Sequence, residues 1–144
     1  MNSEKISSNI GLYIHWPFCL SKCPYCDFNS HVVENVDHSR WEKALVNELR
    51  FLSRNQSQKK LKSIFFGGGT PSLMKPETVF EAIQAAKKIW AVKQPIEITL
   101  EANPSSIEYQ TFNSFKQAGI NRISLGIQAF DDKALSFLGR NHDR

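Results

Sequence analysis

All three cysteines of the chain lie close together, at Cys19, Cys23 and Cys26. Ionised thiols at this spacing repel one another, so a shared positive centre explains their crowding best. Thiolates are soft ligands, and soft ligands select zinc, cuprous copper or iron–sulfur clusters. Pro17 and Pro24 interrupt any helix here, which argues against a helical core face made of cysteines. The stretch therefore predicts a loop that wraps a metal centre.

The number of cysteines limits the kind of metal centre. A 4Fe–4S cluster held by three cysteines leaves one iron without a protein ligand, and that iron can bind another molecule. A structural zinc site needs four protein ligands, so His15 or His31 would have to supply the fourth. From the cysteines alone, both interpretations stay open.

The elements that must position these cysteines alternate between strand and helix patterns. Strands are expected at residues 11–16, 63–66, 96–101 and 121–128, helices at 37–51, 76–90, 105–118 and 132–138, and a polar loop at 53–62. Such alternation is typical of a parallel sheet with right-handed crossovers. The sequence therefore predicts an α/β fold, the parallel (βα)4 portion of a TIM-type barrel.

Polar and glycine-rich residues follow each predicted strand. The cysteine loop follows the first strand, a glycine triplet at 67–69 follows the second, Glu101 ends the third and Gln128 ends the fourth. In parallel α/β barrels, sites are built at this rim. The glycines let the backbone approach a ligand and offer N–H groups to an anion, although a glycine triplet alone also fits a tight turn. Four strand ends therefore predict one shared binding site.

Composition bounds the domain organisation and the partners. The chain has 144 residues, is 41% hydrophobic and 22% charged, and carries a formal net charge of +4. Residues 1–10 are expected to be a polar, disordered N-terminus and residues 11–144 one domain. Because lysines and arginines are scattered, no nucleic-acid partner is expected. With no apolar run of membrane length and no signal-peptide pattern, a cytoplasmic location is expected.

Five motifs together resemble one branch of the radical S-adenosylmethionine (SAM) superfamily. They are YIHWPFC from residue 13, CPYCDFNS from 23, FFGGGTPS from 65, LEANPSS from 100 and ISLGIQAF from 123. The resemblance implies a 4Fe–4S cluster on Cys19, Cys23 and Cys26, whose open iron chelates SAM for cleavage to a 5′-deoxyadenosyl radical. It further implies SAM contacts from Tyr13, Gly68, Gly69, Thr70, Glu101, Gln128 and Arg140.

This branch contains the oxygen-independent coproporphyrinogen III oxidases and the HemW-type heme chaperones. The oxidases carry a further cysteine two residues after the third cluster cysteine, where this chain has Phe28. The resemblance therefore favours the heme-chaperone type, which implies binding of heme or porphyrin and an apo-hemoprotein of the respiratory membrane as partner. Oxidase activity and a non-catalytic zinc or interaction module are the alternatives, and whether the chain is an enzyme stays open.

The resemblance also implies further structure beyond four strand–helix units. The superfamily core has about six such units, and the relatives in this branch carry a further C-terminal domain. The barrel is therefore expected to be truncated, with an exposed edge strand and inner sheet face. A second chain that completes the barrel is one expected partner.

Overall fold

The structure is a computed structural model that describes residues 8–56, 58–104, 106–140 and 142–143. Its strands are β1 (Asn9–Trp16), β2 (Phe18–Cys19), β3 (His31–Val32), β4 (Lys60–Gly68), β5 (Glu97–Ala102) and β6 (Arg122–Leu125). Its α-helices are α1 (His38–Leu52), α2 (Pro76–Ile89), α3 (Ser106–Ala118) and α4 (Asp132–Phe137). The main sheet has the order β1-β4-β5-β6, and all of its pairs are parallel. The predicted α/β fold with a parallel sheet is therefore confirmed.

One face of the sheet is sealed by helices. Trp16, Ile64, Phe66 and Leu100 are fully buried there, because these strands place alternate side chains on the helical face. Helix α2 contributes Val79 and Ile83, α3 contributes Phe115, and α2 packs between α1 and α3. This apolar layer holds the strands rigidly in register, so the residues that follow each strand are fixed relative to one another.

The helix ends follow the signals in the sequence. Asp37 caps α1 by accepting a hydrogen bond from the Arg40 N–H at 3.0 Å, and Asp131 caps α4 by accepting one from Ala134 at 2.9 Å. Pro76 occupies the first turn of α2, where its missing N–H is tolerated. Ser105, expected as a cap of α3, lies outside the described residues.

Several strand boundaries differ from the prediction. Strand β4 begins at Lys60, inside the expected loop, because its polar first residues pair with β1 from Asn9 onward. The same pairing starts β1 two residues before the predicted position. Strand β6 ends at Leu125, so Gln128 lies in the loop after the strand rather than at its last position. Residues 1–7 lie outside the described part of the chain.

A short two-stranded ladder was not predicted. Strands β2 and β3 pair in parallel, with Phe18 opposite His31 and Cys19 opposite Val32. The His31 N–H also donates to the Pro17 carbonyl at 2.7 Å. This ladder closes the two ends of the cysteine-containing segment on each other, so the segment projects from the sheet as a loop.

None of the helices in the described residues has the length and apolar character needed to cross a membrane.

Candidate functional site

A cleft of about 640 Å³ opens at the carboxyl ends of the strands. Its lining includes most of the residues that the sequence singles out. These are Cys19, Cys23, Cys26, Gly68, Gly69, Thr70, Glu101, Gln128 and Arg140. They come from four separate strand ends and from the segment after α4, and the parallel sheet brings them to one rim. The cysteine loop forms one wall of this cleft.

Cys19 is held by the scaffold itself. It is buried, lies in β2, and its Sγ accepts a hydrogen bond from the Thr70 hydroxyl at 3.5 Å. The backbone N–H groups of Gly69 and Thr70 donate to the carbonyls of Trp16 and Phe18 at 2.7 and 2.8 Å. The glycine loop is thereby bonded to the backbone on both sides of Pro17, and the Cys19 sulfur is fixed at the base of the cleft.

Glycine is required where these two loops meet. A Cβ on Gly69 would lie 2.7 Å from the Phe18 carbonyl oxygen and 2.9 Å from the Cys19 sulfur. Gly68 has a φ of 122°, and a Cβ there would lie 2.6 Å from the Trp16 carbonyl oxygen. Such approaches exclude any side chain. The glycine triplet is therefore needed first for packing against the cysteine loop.

Cys23 and Cys26 lie farther out, on a turn of the loop. The Cys26 N–H donates to the Cys23 carbonyl at 3.0 Å, which closes this turn. Arg140 reaches across the cleft and donates from Nη1 to the Cys23 sulfur and to the Tyr25 hydroxyl oxygen, each at 3.4 Å. The Cys26 sulfur lies 4.0 Å from the Ser30 hydroxyl. The cationic side chain of Arg140 thus connects this outer turn, residues 23–26, to the opposite wall of the cleft.

Arg140 is itself held by the strand ends that follow β5 and β6. Its Nη2 donates to Asn103 Oδ1 at 2.7 Å and to the Gly126 carbonyl at 2.8 Å. Burial raises the pKa of the Tyr25 phenol, Cys23 raises it further, and the Arg140 guanidinium opposes both. Tyr25 therefore stays protonated at neutral pH and adds no negative charge beside the sulfurs.

Glu101 and Gln128 occupy the opposite side of the cleft. One carboxylate oxygen of Glu101 accepts a hydrogen bond from the Gly68 N–H at 3.2 Å, so the side chain is directed toward the glycine loop. Gln128 is exposed, and its backbone has a φ of 69°, a left-handed conformation that is uncommon for glutamine. Strained backbone of this kind clusters at ligand-binding sites. Both side chains present polar groups that a bound ligand can reach.

Tyr13 lies beside the cleft and does not line it. Its ring stacks on Phe65 on the face of the sheet that helices leave open, and 56% of Tyr13 is exposed. Partial burial raises the pKa of its phenol and the nearby Glu101 carboxylate raises it further. Tyr13 is therefore a neutral neighbour of Glu101 in this structure.

His15 bonds to other groups than the cysteines. Its Nε2 lies 3.0 Å from the Asn29 carbonyl oxygen, which fixes that nitrogen as the donor. Its Nδ1 then accepts from the Tyr13 hydroxyl at 3.2 Å. Within the described residues, no three His, Cys, Asp or Glu side chains surround a point where a single metal ion would sit. His15 is therefore engaged with Asn29 and Tyr13 rather than with the cysteines.

The donor set fits an iron–sulfur cluster. Three free thiols face one cleft, and a cluster takes each of its cysteine ligands at a different iron, so the sulfurs need not converge on one point. Donors from Thr70 and Arg140 point at two of these sulfurs. Such donors, together with the guanidinium charge, offset the negative charge of thiolate ligands.

The polar residues of the cleft that sequence reasoning missed include Asn103 and His142. Asn103 stood in the LEANPSS motif without a role, although its amide contacts both Arg140 and Thr70 across the cleft. His142 also lines the cleft and bonds to the Ile127 carbonyl at 3.1 Å. The position of Asn103 directly after Glu101 and Ala102, at a strand end, was the only available signal.

Comparison with known proteins defines the class. The family model described as the radical SAM superfamily matches residues 13–144. The chain therefore belongs to the radical SAM superfamily. Within it, the chain is homologous to the heme chaperone HemW of Haemophilus influenzae, with 46% identity over 140 residues, covering 93% of this chain and 36% of that protein.

Two further relatives have related names. "Radical S-adenosyl methionine domain-containing protein 1, mitochondrial" of Bos taurus is 41% identical over 136 residues, covering 94% of this chain and 31% of that protein. The solved structure titled "Coproporphyrinogen III oxidase (HemN) from Escherichia coli is a Radical SAM enzyme" superposes with a TM-score of 0.83. The superposed region covers 95% of this chain and 32% of the solved chain, with 24% sequence identity. At this identity, the superposition shows the shared fold alone.

The chain spans about a third of the length of the curated relatives that it matches. This chain likewise matches about a third of the solved structure, so its fold corresponds to part of a radical SAM barrel. In the described residues, β1 and β6 are the edges of the main sheet.

Proposed function

We propose that this chain provides the 4Fe–4S and SAM site of a HemW-type heme chaperone. The observation that supports it most directly is the convergence of three free cysteines, the glycine loop, Glu101 and Arg140 on one cleft. Membership of the radical SAM superfamily implies the cluster and SAM. The similarity to HemW proteins favours heme or porphyrin as the further ligand.

In this proposal, the cysteines hold three irons and the rest of the cleft holds SAM. Polar groups for the amino acid and ribose of SAM would come from the Gly68, Gly69 and Thr70 segment, Glu101, Gln128 and Arg140, with Tyr13 beside them. When bound and reduced, the cluster would supply the electron that cleaves the sulfonium of SAM. Thr70 and Arg140 would hold two of the sulfurs in place by hydrogen bonds.

The SAM part of the proposal is tested by a matched pair of variants on strand β5. Glu101 faces the cleft, whereas Glu97 lies at the other end of the strand, 3.7 Å from Arg122 Nη1. Calorimetric titration of the anaerobically reconstituted chain should show SAM binding at least tenfold weaker for Glu101→Gln, about 1.4 kcal/mol. Glu97→Gln should bind as the parent chain does. Equal affinity in both variants would contradict the assignment of Glu101.

The choice between heme chaperone and oxidase depends on Phe28. This side chain lines the cleft and is 62% exposed, at the position where the oxidases carry a cysteine. An apolar ring offers a surface for a porphyrin face and no sulfur for chemistry. Titration with heme should give a saturable absorbance change without decarboxylation of added coproporphyrinogen III. Product formation would favour the oxidase instead.

The remaining elements of the proposal concern partners and location. An apo-hemoprotein of the respiratory membrane would receive the heme, and a second polypeptide would pair with β6, which is an edge of the main sheet in the described residues. Free thiols and an oxygen-sensitive cluster require a reducing compartment, for which the cytoplasm is proposed. Co-purification of the tagged chain from anaerobic cells, followed by mass spectrometry, tests these partners.

A further inference from the structure

Three polar side chains connect the sulfurs of Cys23 and Cys19 across the cleft. Arg140 donates to the Cys23 sulfur at 3.4 Å and to Asn103 Oδ1 at 2.7 Å. Asn103 Nδ2 donates to the Thr70 hydroxyl oxygen at 3.5 Å, and the Thr70 hydroxyl donates to the Cys19 sulfur at 3.5 Å. We refer to Arg140, Asn103 and Thr70 as the sulfur relay.

The direction of every bond in the relay follows from Arg140. A guanidinium only donates, so the Asn103 oxygen must face it and the Asn103 NH₂ must face Thr70. The Thr70 oxygen then accepts from Asn103, and its single hydrogen is directed to the Cys19 sulfur. A cation at one end thus polarises a chain of donors that ends on a cysteine ligand.

The relay is built into rigid parts of the fold. Thr70 is buried after β4, and Asn103 follows β5 directly. Arg140 is held additionally by the Gly126 carbonyl at 2.8 Å. Asn103 bonds to both other members of the relay, so a change at Asn103 interrupts the relay at its centre.

We propose that Asn103 is a positioning residue that keeps Arg140 and Thr70 on two of the cluster ligands and thereby raises the reduction potential of the bound cluster. Donors to ligand sulfurs stabilise the more negative, reduced state of a cluster. This inference rests on the proposed cluster site and assigns Asn103 a role in it.

The first test measures the reduction potential of the reconstituted cluster by EPR-monitored titration. Asn103→Asp keeps the shape but lets two carboxylate oxygens accept from Arg140 and from the Thr70 hydroxyl, which withdraws that hydrogen from Cys19. The potential should become more negative in Asn103→Asp and in Thr70→Val, and Thr70→Ser should restore it. Asn113→Asp, an exposed change on α3, should leave it unchanged.

The double variant separates the relay from a simple charge effect. If the relay exists, Asn103→Asp in the Thr70→Val background shifts the potential less than it does alone, because the hydrogen bond to Cys19 is already gone. Additive shifts, or wild-type potentials in both single variants, would overturn the proposal.

A second test uses the metal-free chain and does not depend on cluster assembly. In ¹⁵N-resolved NMR spectra, Thr70→Val should shift the side-chain amide signals of Asn103 and the guanidinium signals of Arg140. Ser30→Ala, beside Cys26, should shift neither. Unperturbed Asn103 and Arg140 signals in Thr70→Val would refute the relay. Failure to assemble any cluster would instead refute the proposed function, while this spectrum still tests the relay.

Discussion

The two ends of the cysteine loop differ in how they are held. Cys19 is buried in the β2–β3 ladder, with Gly69 and Thr70 packed against it. Cys23 and Cys26 lie on an outer turn, and Arg140 bonds this turn at Cys23 to Asn103 on the opposite wall of the cleft. One ligand is thus positioned by the core of the fold, and two are positioned by a loop and one long side chain. Assembly of a cluster would therefore order the outer turn and complete the site, rather than fill a preformed one.

Substitution of one cysteine at each end of the loop should have the largest effect, because each substitution removes a cluster ligand. Cys19→Ser and Cys23→Ser should both lose nearly all bound iron after anaerobic reconstitution, as measured by iron and sulfide assays. Only Cys19→Ser should also destabilise the metal-free chain, by about 1–2 kcal/mol, because a hydroxyl replaces a buried sulfur. Equal stability of the two metal-free variants in urea unfolding would contradict the comparison.

A methyl group at Gly69 should disrupt the packing around Cys19. Because its Cβ would approach the Phe18 backbone and the Cys19 sulfur, Gly69→Ala should destabilise the chain by about 1–3 kcal/mol. Gly126→Ala is the matched control, since its Cβ meets first the flexible end of Gln128 at 3.2 Å. Thermal unfolding should rank Gly69→Ala well below Gly126→Ala, and the reverse order would count against this packing.

Loss of Arg140 should loosen the outer turn and leave β1 and β4 unaffected. Arg140→Ala removes the bonds to Cys23 and Tyr25, so amide hydrogen exchange in residues 20–30 should accelerate about tenfold, as expected for one or two lost bonds to a charged group. Exchange in β1 and β4 should not change. Arg40→Ala, a change of an exposed side chain on α1, is the control. Uniform acceleration across the sheet would mean that Arg140 stabilises the whole fold.

The smallest expected effect is a dependence of the folding stability on pH, caused by His38. Burial lowers the pKa of its imidazole, Lys75 lowers it further and Asp37 opposes them, while the ring stacks on Trp16. Since the unfolded chain binds the proton more readily, stability should fall as the pH drops below about 6.5 and be unaffected above it. His38→Gln should reduce this acid sensitivity in thermal melts from pH 5 to 8, and an identical pH profile would exclude His38 as its source.

The sequence predicted the sheet better than it predicted the contacts across the cleft. Apolar strands bounded by glycine and proline reveal their own positions, so the parallel order and the shared rim could be inferred. The β2–β3 ladder rests on backbone bonds of two residues each, which leave no pattern in the side chains. Polar Lys60 gave no strand signal, because only its pairing with Asn9 makes it part of β4.

Contacts such as those of Asn103 depend on tertiary geometry. Its partners Thr70 and Arg140 are 33 and 37 residues away in sequence. An asparagine before a proline reads locally as the end of a strand, and nothing in its neighbours indicates which distant groups it meets. Gln128 illustrates the same limit, since neither the early end of β6 nor the left-handed backbone at Gln128 is indicated by its neighbours in the sequence.

The central claim is that the cleft holds a cluster whose open iron binds SAM. The most direct measurement is the EPR spectrum of the anaerobically reconstituted, dithionite-reduced chain, recorded with and without SAM. We expect the spectrum to show a reduced 4Fe–4S cluster, and we expect the g-values of this signal to change when SAM is added. Stoichiometric zinc with no cluster signal, or a cluster signal that SAM leaves unchanged, would contradict it.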